Sequence, residues 1–397
     1  MFVWDRQSGF LELVSRATDF TPGDQDSYDS LQVAISGDGR FVAFTSRAAN
    51  LAADGGGNFG QIYLRDRLNA TTVRVSSNVN GVQGASFSSY PSVSDDGNKV
   101  AFRSFSNSLV TGDTNGAIDI FVKTVSTGAI VRANVNNNGA QLTNGLHSEP
   151  QIAPNGRYVL FTSTSTALVS GISTANPGEV YIRDLSAGAT TRVSRPTVAT
   201  ARVNGACAAG TFSAIQPDGS FYVAFSSAAS NLIAGDTNGL SDVYRVRFTS
   251  SSPLTLAIDA ASMTRLSVTN EGAEATGGES FFPTLSSDGQ SVCFETGATN
   301  LIAGDLNVAV DAYVRGASLA TAPACLADVA SDSADVVRNA NGSVGPEDLE
   351  AFVNGFIAEN AAIADVASDS SDTTFNPNRS VGPEDLEAFV NGFIAGC

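Results

Sequence analysis

The chain has 397 residues, 42% of them hydrophobic, and a formal net charge of −18. That length allows two or three domains with a large core, and the acidic balance argues against nucleic acid and anionic membranes as partners. No run of about 18 apolar residues occurs, so no membrane span is expected.

The N-terminus opens in strand. Met1-Phe2-Val3-Trp4-Asp5-Arg6 and Leu11-Glu12-Leu13-Val14-Ser15 read as a third and a fourth strand of a repeat unit, with no signal peptide before them. Either the true start lies upstream, or this pair completes a ring begun elsewhere in the chain.

Five units then follow, roughly 60 residues apart. Their turns are Gly37-Asp38-Gly39, Asp95-Asp96-Gly97, Pro154-Asn155-Gly156, Pro217-Asp218-Gly219 and Ser287-Asp288-Gly289. In each, glycine supplies the positive φ of a tight hairpin. A β-branched and aromatic run comes next, as in Phe41-Val42-Ala43-Phe44 or Tyr222-Val223-Ala224-Phe225, and reads as a strand. Third strands are Ile62-Tyr63-Leu64-Arg65, Ile120-Phe121-Val122-Lys123, Val180-Tyr181-Ile182-Arg183, Val243-Tyr244-Arg245 and Ala312-Tyr313-Val314-Arg315. Fourth strands include Thr72–Ser76, Thr191–Ser194 and Thr264–Ser267, and none is clear after Arg315.

Four short strands per unit, repeated, describe the blades of a mainly β, five- to six-bladed β-propeller over residues 1–316. The recurring D-G hairpin followed by V-A-F-x-S resembles the TolB-like, or PD40 (WD40-like), propeller repeat. That resemblance implies a propeller fold. It leaves function open, because such propellers serve as binding platforms and as accessory domains of peptidases.

Two features of the propeller carry candidate chemistry. The first is a carboxylate motif between second and third strands: Asp113, Asn115 and Asp119; Asp236, Asn238 and Asp242; Asp305, Asn307 and Asp311. Asp54 and Asn58 keep part of it. Three oxygens within seven residues are a candidate Ca²⁺ site, and the plainer reading is that these side chains bond their own backbone and fix the loop. The second feature is the set of inner strands, which includes Tyr90-Pro91, Glu149-Pro150 and Phe282-Pro283. A propeller glycosidase needs a pair of carboxylates there, and only Glu149, with Glu279 just upstream of the last inner strand, offers any. His147 is the one histidine and reads as a packed or solvated residue rather than a catalytic base. Of the four cysteines, none has C-x-x-C spacing, so zinc and thioredoxin chemistry are not expected. Cys207 and Cys293 are left open, paired or free.

Residues 317–324 are small and featureless and read as a linker. Residues 325–397 hold a tighter repeat with a period of 37: Ala327–Ala358 and Ala364–Ala395 differ at six positions. Each copy is an acidic loop and one helix. Pro346 and Pro383 suit a first helical turn, with Glu347-Asp348 and Glu384-Asp385 at the positive end of the helix dipole. Leu349, Phe352, Val353, Phe356 and Ile357, and their repeat from Leu386 to Ile394, form two apolar faces that pack on each other. Cys325 and Cys397 bracket the region, as a disulfide closing a small secreted domain would.

Asp328, Asp332 and Asp348 recur as Asp365, Asp369 and Asp385, and carboxylates converging on a helix start favour Ca²⁺. The arrangement resembles the dockerin-type, EF-hand-like module, and more closely the C-terminal modules of planctomycete surface proteins that end in Gly-Cys, as Gly396-Cys397 does. It departs from dockerins at Ala330 and Ala367 in the third loop position, at Ser333 and Ser370 in place of glycine at the sixth, and in a lengthened loop.

The expectation is a secreted, cell-surface or periplasmic scaffold without catalytic residues. Its propeller binds protein or glycan, and its C-terminal module is a calcium-dependent anchor to a partner. The alternative is a polysaccharide-degrading enzyme that carries such a module.

Overall fold

The computed structural model describes residues 1–316 except 7, 28–32, 54, 56–58, 171–176, 199–200, 253–254, 304 and 306–308. The C-terminal repeat with its six candidate calcium ligands, Cys325, Cys397, Asp54, Asn58 and Asn307 lie outside the described residues.

All the regular elements described are strands. An N-terminal hairpin pairs β1 (Phe2–Trp4) with β2 (Leu11–Leu13). The first blade has β3 (Val33–Ile35), β4 (Phe41–Ser46), β5 (Gln61–Asp66) and β6 (Thr71–Arg74). The second has β7 (Ser88–Val93), β8 (Lys99–Ser104), β9 (Asp119–Thr124) and β10 (Ile130–Arg132). The third has β11 (His147–Ile152), β12 (Tyr158–Ser163), β13 (Glu179–Asp184) and β14 (Ala189–Arg192). The fourth has β15 (Cys207–Phe212), β16 (Phe221–Ser227), β17 (Asp242–Ser252) and β18 (Thr255–Arg265). The fifth, among the described residues, has β19 (Ser280–Leu285), β20 (Ser291–Thr296) and β21 (Asp311–Gly316). Every sheet is an antiparallel meander whose spatial order follows the chain, the blade arrangement of a β-propeller.

The V-A-F pattern explains how blades stack. Alternate residues of a strand face opposite sides. Val100 and Phe102 therefore reach back to Ala43, Ile62 and Leu64 of the first blade. Ala101 faces forward and meets Val159 and Phe161 of the third. The same join recurs between the third and fourth blades through Leu160, Ile182, Val223 and Phe225, and between the fourth and fifth through Ala224, Val243, Val292 and Phe294. In the first, second and fourth blades the forward residue is small, Ala43, Ala101 or Ala224, and leaves room for the two larger side chains of the next blade, whereas the third blade has Leu160 there. Within each blade the second-strand phenylalanine also lies against the third-strand aromatic, as in Phe44–Tyr63 and Phe294–Tyr313 at centroid distances of 6.0 and 6.2 Å.

The hairpin turns also join neighbours. Gly39, Gly97, Gly156, Gly219 and Gly289 all have φ between 67° and 79°. The Gly37 amide donates to Asp95 Oδ1 at 3.1 Å, and the Asp95 amide donates to the Pro154 carbonyl at 2.9 Å.

Two findings differ from the sequence reading. The N-terminal hairpin does not join the sheet of β19–β21. It pairs only with itself among the described strands and packs Met1 and Val3 on Val42 and Phe44 of the first blade. The strands β17 and β18 also run on as an eleven-residue ribbon, because the serines after Thr249 continue a ladder in which Phe248 pairs with Ile258.

Candidate functional site

The first strands of successive blades pack on one another, β3 on β7, β7 on β11, β11 on β15 and β15 on β19. They are therefore the innermost strands. On three of them the residue before a proline has positive φ: Tyr90 at 55°, Glu149 at 57° and Phe282 at 52°. A non-glycine residue seldom adopts this conformation, and a following proline favours extended backbone instead. At each position the pairing with the second strand slips, between Ser89 and Ser92, Ser148 and Gln151, and Phe281 and Thr284. These are bulges, which re-aim side chains. The fourth blade slips at the same place, with Gly210 there.

The side chains at these bulges are chemically varied. The Arg103 guanidinium stacks over the Tyr90 ring at 4.1 Å and donates to Ser89 Oγ at 2.9 Å and Ser148 Oγ at 3.2 Å. Glu149 Oε2 accepts from Thr162 Oγ1 at 2.9 Å and from the Ala209 amide at 3.1 Å. Phe282 meets Phe281 edge to face and is 63% exposed. Glu279 precedes β19 and is exposed. A stacked cation, a hydrogen-bonded carboxylate and an open aromatic are binding groups. The sequence signal was the X-Pro pair recurring at one place in successive inner strands.

The carboxylate motif has a different setting. Asp113 and Asp119 converge on Arg132, with Asp113 Oδ1 at 3.0 Å from Nη2 and Asp119 Oδ2 at 3.1 Å from Nε. Asn115 Nδ2 donates to Asp119 and to the Leu142 carbonyl, and Asn134 Nδ2 donates to Asp119 Oδ1 at 2.7 Å. In the fourth blade, Arg265 Nη1 lies 3.4 Å from Asp236 Oδ1, 3.3 Å from Asp242 Oδ2 and 2.7 Å from Glu274 Oε1. Asn238 donates to Asp242 and to the Ala275 carbonyl. The third blade, which lacks the motif in sequence, places Glu179 between Arg192 and Arg202. Burial raises the carboxyl pKa of Asp119 and Asp242, while their hydrogen bonds and arginines act against it. Glu274 is instead held down at about 2, first by Thr237 and then by Arg265. No group of three or more His, Cys, Asp or Glu able to share a metal ion occurs among the described residues.

Sequence reasoning missed a second pairing. The cation near the end of the third strand reaches back into the preceding repeat: Arg65 to the Ala17 carbonyl, Lys123 to those of Ser77 and Asn78, Arg183 to that of Asn136, and Arg315 to those of Val268 and Thr269. Burial lowers the pKa of each.

His147 is buried, and its pKa falls to about 4 through burial first and then the charge of Arg132. Cys207 and Cys293 are both free thiols, and burial pushes Cys207 up to about 12, which makes it unreactive.

No protein-family model matches the chain, and no curated protein matches it. Among solved structures it is similar to a putative TolB from Agrobacterium tumefaciens, at 15% identity and a TM-score of 0.42, covering 79% of this chain and 83% of that one. It is similar to the β-propeller domain of the Trilobed protease from Pyrococcus furiosus, at 14% identity and 0.34, covering 74% and 82%. It is also similar to the Pyrococcus horikoshii acylaminoacyl peptidase, at 13% identity and 0.37, where 74% of this chain matches 38% of the peptidase.

Proposed function

We propose that this is a non-catalytic binding protein of the cell surface, periplasm or extracellular space. The propeller is the platform for a protein or glycan, residues 317–324 are a linker, and residues 325–397 are a calcium-dependent attachment unit. The observation that carries the platform reading is the set of positive-φ residues on the innermost strands. Strain of this kind costs on the order of 1–3 kcal/mol per residue, and the Phe282 ring is left 63% exposed rather than packed into the blade. Such positions persist where the side chain has work to do. Glu149 is held by two donors, Thr162 and the Ala209 amide, as a binding carboxylate would be.

The attachment reading rests on the repeated aspartates alone. Calorimetric Ca²⁺ titration of the full chain tests it, beside a variant with serine at Asp328, Asp332, Asp348, Asp365, Asp369 and Asp385. About two ions bound by the first and none by the second is the expected result. Equal uptake by both would overturn it. For the platform, arrays of glycans and envelope proteins are probed with the full chain and with a Tyr90→Ala, Phe282→Ala variant. Capture lost in the variant supports the reading. Polysaccharide hydrolysis abolished by Glu149→Gln would replace it with the enzyme.

A further inference from the structure

We infer that Arg103, at the join of the second and third blades, receives an acidic side chain of the ligand, and that the ligand is a mixed-charge polypeptide segment. The inference rests on the platform reading and names the chemistry that the inner strands select.

One position of the second strand differs in charge from blade to blade. The residue after its phenylalanine is Thr45, Arg103, Thr162, Ser226 and Glu295 in the five blades. A cation stands there in the second blade alone. Arg103 lies opposite Ser89 of β7 and reaches Ser148 of β11, so its guanidinium spans two inner strands. Nε donates to Ser89 Oγ at 2.9 Å and Nη1 to Ser148 Oγ at 3.2 Å, with the Tyr90 ring beneath at 4.1 Å.

Both acceptors are neutral hydroxyls, and among the described residues no carboxylate pairs with Arg103. Arg40, Arg132, Arg157, Arg192, Arg202 and Arg265 each meet an aspartate or glutamate instead. Arg65 and Arg183, which reach backbone carbonyls, are buried. Arg103 is half-buried, and its Nη2 makes no hydrogen bond and is not enclosed.

A guanidinium fork matches a carboxylate. Here two hydroxyls fix its position and a ring fixes its plane, so little freedom is lost when a ligand arrives. The neighbouring charges towards the third and fifth blades are carboxylates: Glu149 on β11, with exposed Glu279 and Glu295 at β19 and β20. A uniformly anionic glycan would meet these like charges, and a neutral one would leave the guanidinium unmatched. A polypeptide with an acidic residue at Arg103 and a basic one towards Glu149 matches both signs.

The test selects a display library of random dodecapeptides on the full chain. At a net charge of −18, non-specific attraction enriches basic peptides only. Enrichment of peptides that combine acidic and basic residues is therefore the expected result. Arg103→Gln should weaken the selected peptides roughly tenfold or more, the loss of a charge-assisted hydrogen bond. Arg103→Lys should retain part of the affinity. Selection on Arg103→Glu should exchange the acidic position for a basic one, a reversal that a merely structural arginine would not produce. Melting temperatures show which variants are folded, and Arg103→Gln decides alone if Arg103→Glu is not. Selected peptides without an acidic residue, or equal binding to the parent and Arg103→Gln, would overturn the inference. So would capture of glycans but no peptide, which leaves the platform reading standing. Peptides that bind the Tyr90→Ala, Phe282→Ala variant as they bind the parent would instead overturn the platform reading, and this inference with it.

Discussion

Arg132 closes on Asp119: its Nε lies 3.1 Å from Asp119 Oδ2, with both side chains buried. The two are 13 positions apart on neighbouring strands, and the guanidinium stands where the loop motif alone would suggest a cation. Breaking such a pair from one side leaves a buried charge uncompensated. Arg132→Met is expected to destabilise the chain by roughly 3–5 kcal/mol, read as a fall in the urea midpoint, and adding Asp119→Asn and Asp113→Asn should recover part of the loss. Calcium should restore none of it. A calcium-dependent rise in the melting temperature of Arg132→Met would instead show that these oxygens can hold the metal.

His147 makes stability depend on pH. Its pKa is lowered from the ordinary 6.5 to about 4 in the folded chain. Between those values the unfolded chain binds a proton that the folded chain does not. Stability therefore rises with pH through this window, is fully present above it and is lost as pH falls towards 4. The expected contribution is about 3 kcal/mol between pH 7 and pH 4. His147→Gln should flatten that part of the profile, as measured by urea unfolding across the window, while carboxylates such as Glu274 keep the slope below it. An unchanged slope would mean that His147 is protonated in the folded chain.

What the sequence revealed and what it hid divide along physical lines. The D-G turns and V-A-F runs are local, because φ sign and strand alternation are set by adjacent residues, and both are found where expected. The partner of Asp119 was not legible, because an arginine in a fourth strand carries no local mark of what it faces. The roles of Lys123 and Arg315 were hidden for the same reason, since their acceptors are backbone carbonyls some 46 or 47 residues earlier. The bulge residues Tyr90, Glu149 and Phe282 left a trace in their prolines, but only the backbone shows their positive φ.

Gly97 and Gly81 separate two roles of a left-handed glycine. Both have positive φ, 67° and 81°. A Cβ on Gly81 would meet nothing, whereas on Gly97 it would overlap the ring of Phe41 in the preceding blade. Gly81→Ala is expected to cost about 1 kcal/mol from the backbone alone. Gly97→Ala adds overpacking of an inter-blade contact and should cost roughly 2–4 kcal/mol. Thermal unfolding of the two variants checks this. Equal losses would show that Phe41 moves aside freely.

Phe282 gives the sharpest separation of stability from binding. Its φ of 52° is one that glycine adopts without strain, and its ring is largely exposed. Phe282→Gly should therefore leave the melting temperature unchanged or raise it, by relief of about 1 kcal/mol of backbone strain set against the lost contact with Phe281. If the ring were there for folding, the same change would lower stability. Tyr90→Gly is the contrasting case, because it relieves the same strain but also removes the surface on which Arg103 stacks, and should leave the chain roughly 1 kcal/mol less stable than Phe282→Gly does. Measured together by calorimetry and by capture of the platform's ligand, the pair should diverge in stability and agree in lost binding. Parallel loss of stability in both, with capture retained, would assign the bulges to folding rather than to recognition.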